Sequence, residues 1–249
     1  MRHRLLSVSA DAKTIKGEAA GYLTGILYLA PSDESGVINV CANASVGCRL
    51  ACLYTAGRGA MPSVKKGRMR KTLEFVDNRS KFMNDIVFDI KVLELVAADM
   101  GKKLCIRLNG TSDLPWENIL INGGRNIFDT FPDVQFYDYT KSFTRMVKFI
   151  RKEMPANYHL TFSRSEENGE DCERVLSMGG SVATVFVGVD KKGKRKRLKE
   201  LPTQHVGRVV ADGDKNDLRF LDKPGQVIGL VAKGKAVKDE SGFAIVVNV

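Results

Sequence analysis

Three of the five cysteines stand in one short stretch, VCANASVGCRLACLYTAGRG (40–59), where Cys41, Cys48 and Cys52 are spaced C-x6-C-x3-C. Cysteines this close ligate a metal, pair as disulfides, or react as free thiols. Five cysteines cannot all pair. The N-terminal MRHRLLSVSADAKTIKGE has a basic start but lacks the apolar run of a secretory leader, so a cytoplasmic setting with reduced thiols is expected. Metal ligation is then the first reading. A closed zinc site takes four ligands, commonly in two close-spaced pairs. His3, His159 and His205 are all remote from the loop in sequence. Zinc, completed by a distant His or by Cys105, stays open as the alternative metal. A [4Fe–4S] cluster can be held by three thiolates, leaving one iron for substrate or cofactor, and thiolate ligation is the usual mode for such clusters. Cys105, in an apolar segment, and Cys172, in a polar helical one, read as structural thiols.

Chemistry at the loop needs elements to position it. The apolar run 21–30 reads as a first strand, and the cysteine loop follows it. Residues 79–101 carry apolar side chains at helical spacing and end at a glycine. Further strands are expected at 103–110, 133–140, 157–163 and 181–189, with helices through SFTRMVKFIRKEM and EENGEDCERVLSMG, and a short helix after Pro115. HVGRVVAD, GQVIGLVAKGK and GFAIVVNV read as closing strands. No repeat, linker or low-complexity tract divides the chain, so residues 1–249 are expected to form a single α/β domain. Alternating strands and helices argue for parallel βαβ units closing into a full or partial (β/α) barrel, TIM-like in kind. The chemistry of such a barrel sits at the carboxyl ends of its strands.

That rule selects candidates. After the cysteines come Asn109, Thr111, Ser112 and Asp113; then Tyr139, Thr140 and Lys141; then Ser163, Arg164 and Glu166; and last Asp212, Asp214 and Asp217. Asp113 suits a general base or an amine-binding carboxylate, or else caps the helix after Pro115. Lys141 suits an anionic group of substrate or cofactor, or else is an exposed lysine opening a helix. Arg58, in the Gly-Arg-Gly turn, suits a carboxylate or phosphate. Asp214 sits in an acidic turn and suits a nucleophile or base, or else simple Asx-turn chemistry.

Three cysteines after a first strand resemble the radical S-adenosylmethionine (SAM) enzymes, which usually carry C-x3-C-x2-C with an aromatic beside the third cysteine. Here the spacing is wider and Tyr54 lies two residues past Cys52. The resemblance implies that Cys41, Cys48 and Cys52 hold the cluster. It also implies that Asn109, Gly110 and Asp113, at the end of the second strand, contact SAM. A longer resemblance rests on KTIKGEAAGYLTGILYLAP, NVCANASVGCRLACLYTAGRGA, RLNGTSDLPWE, FPDVQFYDYTK, NYHLTFSRSE and DGDKNDLRFLD. These are similar to a group of bacteriophage proteins related to the phage gene-product-88 family, which implies a phage origin and hence a host cytoplasm. It implies no reaction.

The net charge is +10, and residues 191–199 supply seven basic groups and no acid. Lys191, Lys192, Lys194, Arg195, Lys196, Arg197 and Lys199 form a compact cationic insertion suited to nucleic acid, or else the solvated tip of a β-hairpin. No stretch approaches the roughly 20 apolar residues that cross a bilayer, so no membrane partner is expected. The sequence reading is therefore an iron–sulfur, radical-SAM-like enzyme acting on a nucleotide or nucleic acid. Two alternatives remain. One is a metal-stabilised nucleic-acid-binding protein without catalysis; the other is a barrel-fold base-modifying enzyme of transglycosylase type using Asp113 or Asp214.

Overall fold

The computed structural model describes residues 4–8, 12–121 and 123–248; His3 lies outside them. In chain order the elements are β1 (Leu6–Val8), α1 (Ala12–Ala19), β2 (Tyr22–Leu27), α2 (Val46–Leu50), α3 (Pro62–Asp77), α4 (Arg79–Asp99), β3 (Lys103–Arg107), α5 (Ile127–Thr130), β4 (Gln135–Thr140), α6 (Phe143–Ile150), β5 (Tyr158–Ser163), α7 (Gly169–Ser177), β6 (Val182–Val189), β7 (Arg195–Lys196), β8 (Gln204–His205), β9 (Arg208–Asp212), β10 (Val227–Val231) and β11 (Ile245–Asn248).

Local sequence explains the main helices. Pro62 opens α3, where its missing N–H is no loss. The Asn78 side chain caps α4 by accepting the Lys81 N–H, and Phe82, Met83, Ile86, Ile90, Leu93 and Ala97 bury one face of that helix at helical spacing. The Ser142 hydroxyl caps α6 through the Arg145 N–H.

The strands form one mostly parallel sheet, ordered β1-β2-β3-β4-β5-β6-β10-β9-β8. From β2 to β6 every neighbour is parallel and consecutive, as helical crossovers dictate. The expected barrel does not close. Its two ends, β1 and β8, are antiparallel additions, and the βαβ alternation stops at β6. Two features account for this. First, β6 pairs with four strands: β5 and β10 at its start, β11 and β7 at its end. Since Phe186 is opposite both Val231 and Ile245, β11 continues the edge begun by β5. Second, the inner face of the sheet is filled. Leu218 packs there with Cys105 and Tyr137, and Gly17 of α1 lies against Leu218.

The opposite face carries the main core, where β2–β6 meet α3, α4, α6 and α7. Trp116 is fully buried there, 5.6 Å from the Phe75 ring. The 3₁₀ turn Trp116–Asn118 stands where the short helix after Pro115 is expected. Among the described residues no helix is long and apolar enough to cross a membrane.

Candidate functional site at the carboxyl edge of the sheet

The connection from β2 to α3 carries the cysteines. Asn39 turns the chain by accepting the Cys41 N–H at 2.9 Å. Ser45 then caps α2 through the Cys48 N–H, and Cys52 leads into a 3₁₀ turn, Leu53–Thr55. The loop is tied to the ends of neighbouring strands. The Cys41 thiol donates to the Thr111 carbonyl at 3.6 Å, and the Asp113 N–H donates to the Val40 carbonyl at 2.8 Å. Glu166, past β5, accepts the Gly47 N–H at 2.6 Å and the Ser45 hydroxyl at 2.8 Å. A Cβ on Gly47 would meet the Ser241 hydroxyl and both Glu166 carboxylate oxygens, which would have to move aside. Cys48 packs with Ala51, Val185, Val187 and Phe243.

The three thiols share one electrostatic neighbourhood. Burial pushes Cys41 up to about 12; the Ser32 N–H opposes this, while Cys52, Asp113 and Cys48 add to it. Burial also raises Cys52, opposed by the Tyr54 N–H and by the charges of Arg68 and Lys141. Burial thus holds Cys41 and Cys52 as neutral thiols, and the Cys41 thiol's bond to the Thr111 carbonyl suits that protonated form. Among the described residues no three His, Cys, Asp or Glu side chains close up as a metal-binding group. A tetrahedral zinc with bonds of about 2.3 Å demands such closure around one point. A cluster takes each thiolate on a separate iron and accepts wider spacing. Cys41, Cys48 and Cys52 are the residues that would hold a metal ion or cluster at this loop.

Several strand-end residues do converge. Lys141 donates its Nζ to Ser163 at 2.7 Å and its N–H to Asp113 at 2.8 Å. Asp113 is held from its other oxygen by Arg145 at 2.8 Å, and Arg145 also binds Glu117 through two hydrogen bonds. Asn109 turns inward instead: its Oδ1 accepts from Ser112, Leu114 and Trp116, and its N–H donates to Asp138. Gly110 lies against the β2 end, where a Cβ would come within 2.6 Å of the Leu27 carbonyl. Asn109 and Gly110 thus shape the turn that presents Asp113. Arg58 is exposed to solvent. Asp214 pairs with Lys233 at 2.8 Å and accepts the Val231 N–H, bracing the ends of β9 and β10.

With this geometry in view, a family model described as Gene product 88 matches residues 4–246. The chain belongs to the gene product 88 family. This is the phage family that the motif segments resemble. No curated protein and no solved structure matches.

In this gene product 88 chain, Arg107, Asp138 and Arg68 carry no local sequence signal, whereas Tyr139 and Asp217 are among the strand-end candidates. Arg107, at the end of β3, binds Asp217 at 2.7 Å, and the Tyr137 and Tyr139 hydroxyls also donate to that carboxylate. The two tyrosines share a face because side-chain direction repeats every second residue. Asp138 faces the core; burial raises it to about 7 against the charge of Arg107 and the Asn109 and Tyr158 hydrogen bonds. Arg68 reaches the cysteine site from α3, its guanidinium 5.0 Å from the Tyr28 ring. Cys105 and Cys172 are buried, as structural thiols should be. His159 packs on Phe149, and burial drives it to about 4.

The basic segment forms a hairpin. β7 pairs antiparallel with β6, and Asp190 Oδ1 accepts the Lys192 and Lys194 N–H groups across the turn. Lys191, Lys192, Lys194, Lys196, Arg197 and Lys199 are exposed, and Arg195 is half-buried.

Proposed function

We propose that this protein is an iron–sulfur enzyme of radical-SAM-like type, in which Cys41, Cys48 and Cys52 hold a [4Fe–4S] cluster at the carboxyl edge of a partial barrel. The observation that carries this reading is the placement of the three-cysteine loop at the carboxyl edge of the sheet, tied there through Thr111, Asp113 and Glu166. A cluster held there by Cys41, Cys48 and Cys52 would supply one-electron chemistry. The chain's own residues then do the positioning. Cys41 and Cys52 are half-buried, which partly shields the group they would hold. Lys141 presents a cation near Cys52 for an anionic group of SAM or substrate. Asp113, fixed by Arg145, holds the Lys141 backbone in place.

The exposed hairpin lysines suit a polyanion, so the proposed substrate is a nucleotide or nucleic acid. The same hairpin favours a second reading, a metal-stabilised nucleic-acid-binding protein without catalysis. The transglycosylase reading is weaker, because Asp113 and Asp214 each spend both carboxylate oxygens on holding the fold together. Iron and sulfide analysis of anaerobically purified protein tests the main reading. Iron with sulfide supports it, and stoichiometric zinc without sulfide overturns it.

A further inference from the structure

Beside Cys52 stands a buried cation that no carboxylate among the described residues pairs with. Arg68 is only 9% exposed, and neither its Nε nor its Nη1 has a hydrogen-bond partner among those residues. Its neighbours are the Tyr28 ring beneath the guanidinium and, by charge coupling, Cys52 and Tyr54. A guanidinium retained in this state is strongly unfavourable unless something pairs with it. A planar fork of this kind grips an oxyanion with two parallel hydrogen bonds.

A second orphan lies in the same β2–α3 connection as the cysteines. Ser32 is 6% exposed and its Oγ has no partner among the described residues. Ser32 also adopts a left-handed backbone, φ 52°, uncommon for a residue with a side chain. Buried polar atoms left without partners in a native fold call for an explanation. The Ala30 N–H donates to the Thr72 hydroxyl, which donates to the Arg68 carbonyl, and the Ser32 carbonyl accepts the Val40 N–H beside Cys41, so both orphans border the cysteine loop. Lys141, also coupled to Cys52, adds a further positive charge there.

We propose that Arg68 and Ser32 form an oxyanion subsite adjoining Cys41 and Cys52, which takes the carboxylate or phosphate of the small molecule that reacts there. Arg58, the anion-binding candidate from the sequence, is exposed and lacks the desolvation that makes such a subsite strong. The subsite deepens the reading of the cysteine loop as a reaction centre, but its chemistry does not require iron.

The test uses the full-length protein, purified anaerobically, with thermal unfolding followed in chloride, inorganic phosphate or acetate at equal ionic strength. A ligand that binds only the folded state raises Tm, by about 3–6 °C for each tenfold excess over Kd in a chain of this size. Wild-type protein is expected to show this rise with phosphate, with acetate, or with both. Arg68→Met should abolish it without lowering Tm in chloride, because a buried unpaired charge is removed. Arg68→Lys keeps the charge but loses the fork, and should weaken binding about tenfold or more, an order of magnitude for losing bidentate geometry. A response to phosphate alone assigns a phosphorylated ligand, and a response to acetate alone a carboxylate. No response in the wild type, or an equal response in both Arg68 variants, overturns the subsite. Iron measured on the same samples separates the two ideas. An anion response without iron leaves the subsite standing and removes the cluster.

Discussion

Glu166 accepts the Gly47 backbone N–H at 2.6 Å, across 119 residues of sequence. This single hydrogen bond ties the helix that carries Cys48 to the end of β5. It makes the cysteine loop a part of the sheet's carboxyl edge rather than an independent flap. The geometry also explains the glycine, since a Cβ at position 47 would meet both Glu166 oxygens.

Gly47→Ala should therefore displace the tie. Losing a charge-assisted hydrogen bond of this kind costs about 1.5–3 kcal/mol. Tm should fall by several degrees, and bound iron should drop although every cysteine is intact. Unchanged iron and Tm would show that Glu166 does not position the loop.

Arg145 gathers Asp113, Glu117 and Tyr158 about one buried guanidinium. Removing one partner of a buried pair leaves the others uncompensated. Arg145→Met is expected to lower stability by roughly 3–5 kcal/mol in urea or guanidinium unfolding. A loss below about 1 kcal/mol, the value of an exposed pair, would argue against this role.

Asp138 gives the fold a pH dependence. Its folded pKa is raised to about 7, chiefly by burial, against about 3.9 when unfolded. Between those values the folded state holds the extra proton, so stability falls as pH rises through this window. The slope from this one group is at most about 1.4 kcal/mol per pH unit. Asp138→Asn should flatten the fall between about pH 5 and about pH 7 in equilibrium unfolding. An identical slope in the variant would assign the pH dependence elsewhere.

The hairpin gives an independent expectation. Replacing Lys191, Lys192 and Lys194 by serine should reduce nucleic-acid affinity. The slope of log K against log salt should become shallower by about 2–3, at roughly 0.7–0.9 for each phosphate no longer neutralised. Iron content should not change. An unaltered salt slope would mean that these lysines are only solvated.

The sequence is most readable where the physics is local. The apolar spacing in 79–101 matches α4 at Arg79–Asp99, and the strands expected at 133–140 and 157–163 appear at Gln135–Thr140 and Tyr158–Ser163. The rule that chemistry gathers at strand ends brings Asp113, Lys141, Ser163 and Glu166 to one edge from the residue order alone. Long-range relations are hidden. The Arg107–Asp217 pair spans 110 residues, so nothing in the sequence shows that the inner face is filled. Arg68 lies in SVKKGRMRK, where it looks like any other solvated basic residue beside Lys65 and Arg70. Only the packing of α3 on the β2 end separates it from them. The four partners of β6 likewise depend on register, which apolar runs do not encode. Alternating strands and helices therefore suggest closure that the sheet does not achieve.

The reading stands on Cys41, Cys48 and Cys52 acting together as ligands of an iron–sulfur cluster. Iron and acid-labile sulfide analysis of anaerobically purified wild type and Cys48→Ala addresses this head-on, with circular dichroism confirming that the variant folds. Iron and sulfide are expected in the wild type and should be lost in the variant. Iron unchanged by Cys48→Ala, or wild-type protein carrying zinc without sulfide, would refute the cluster.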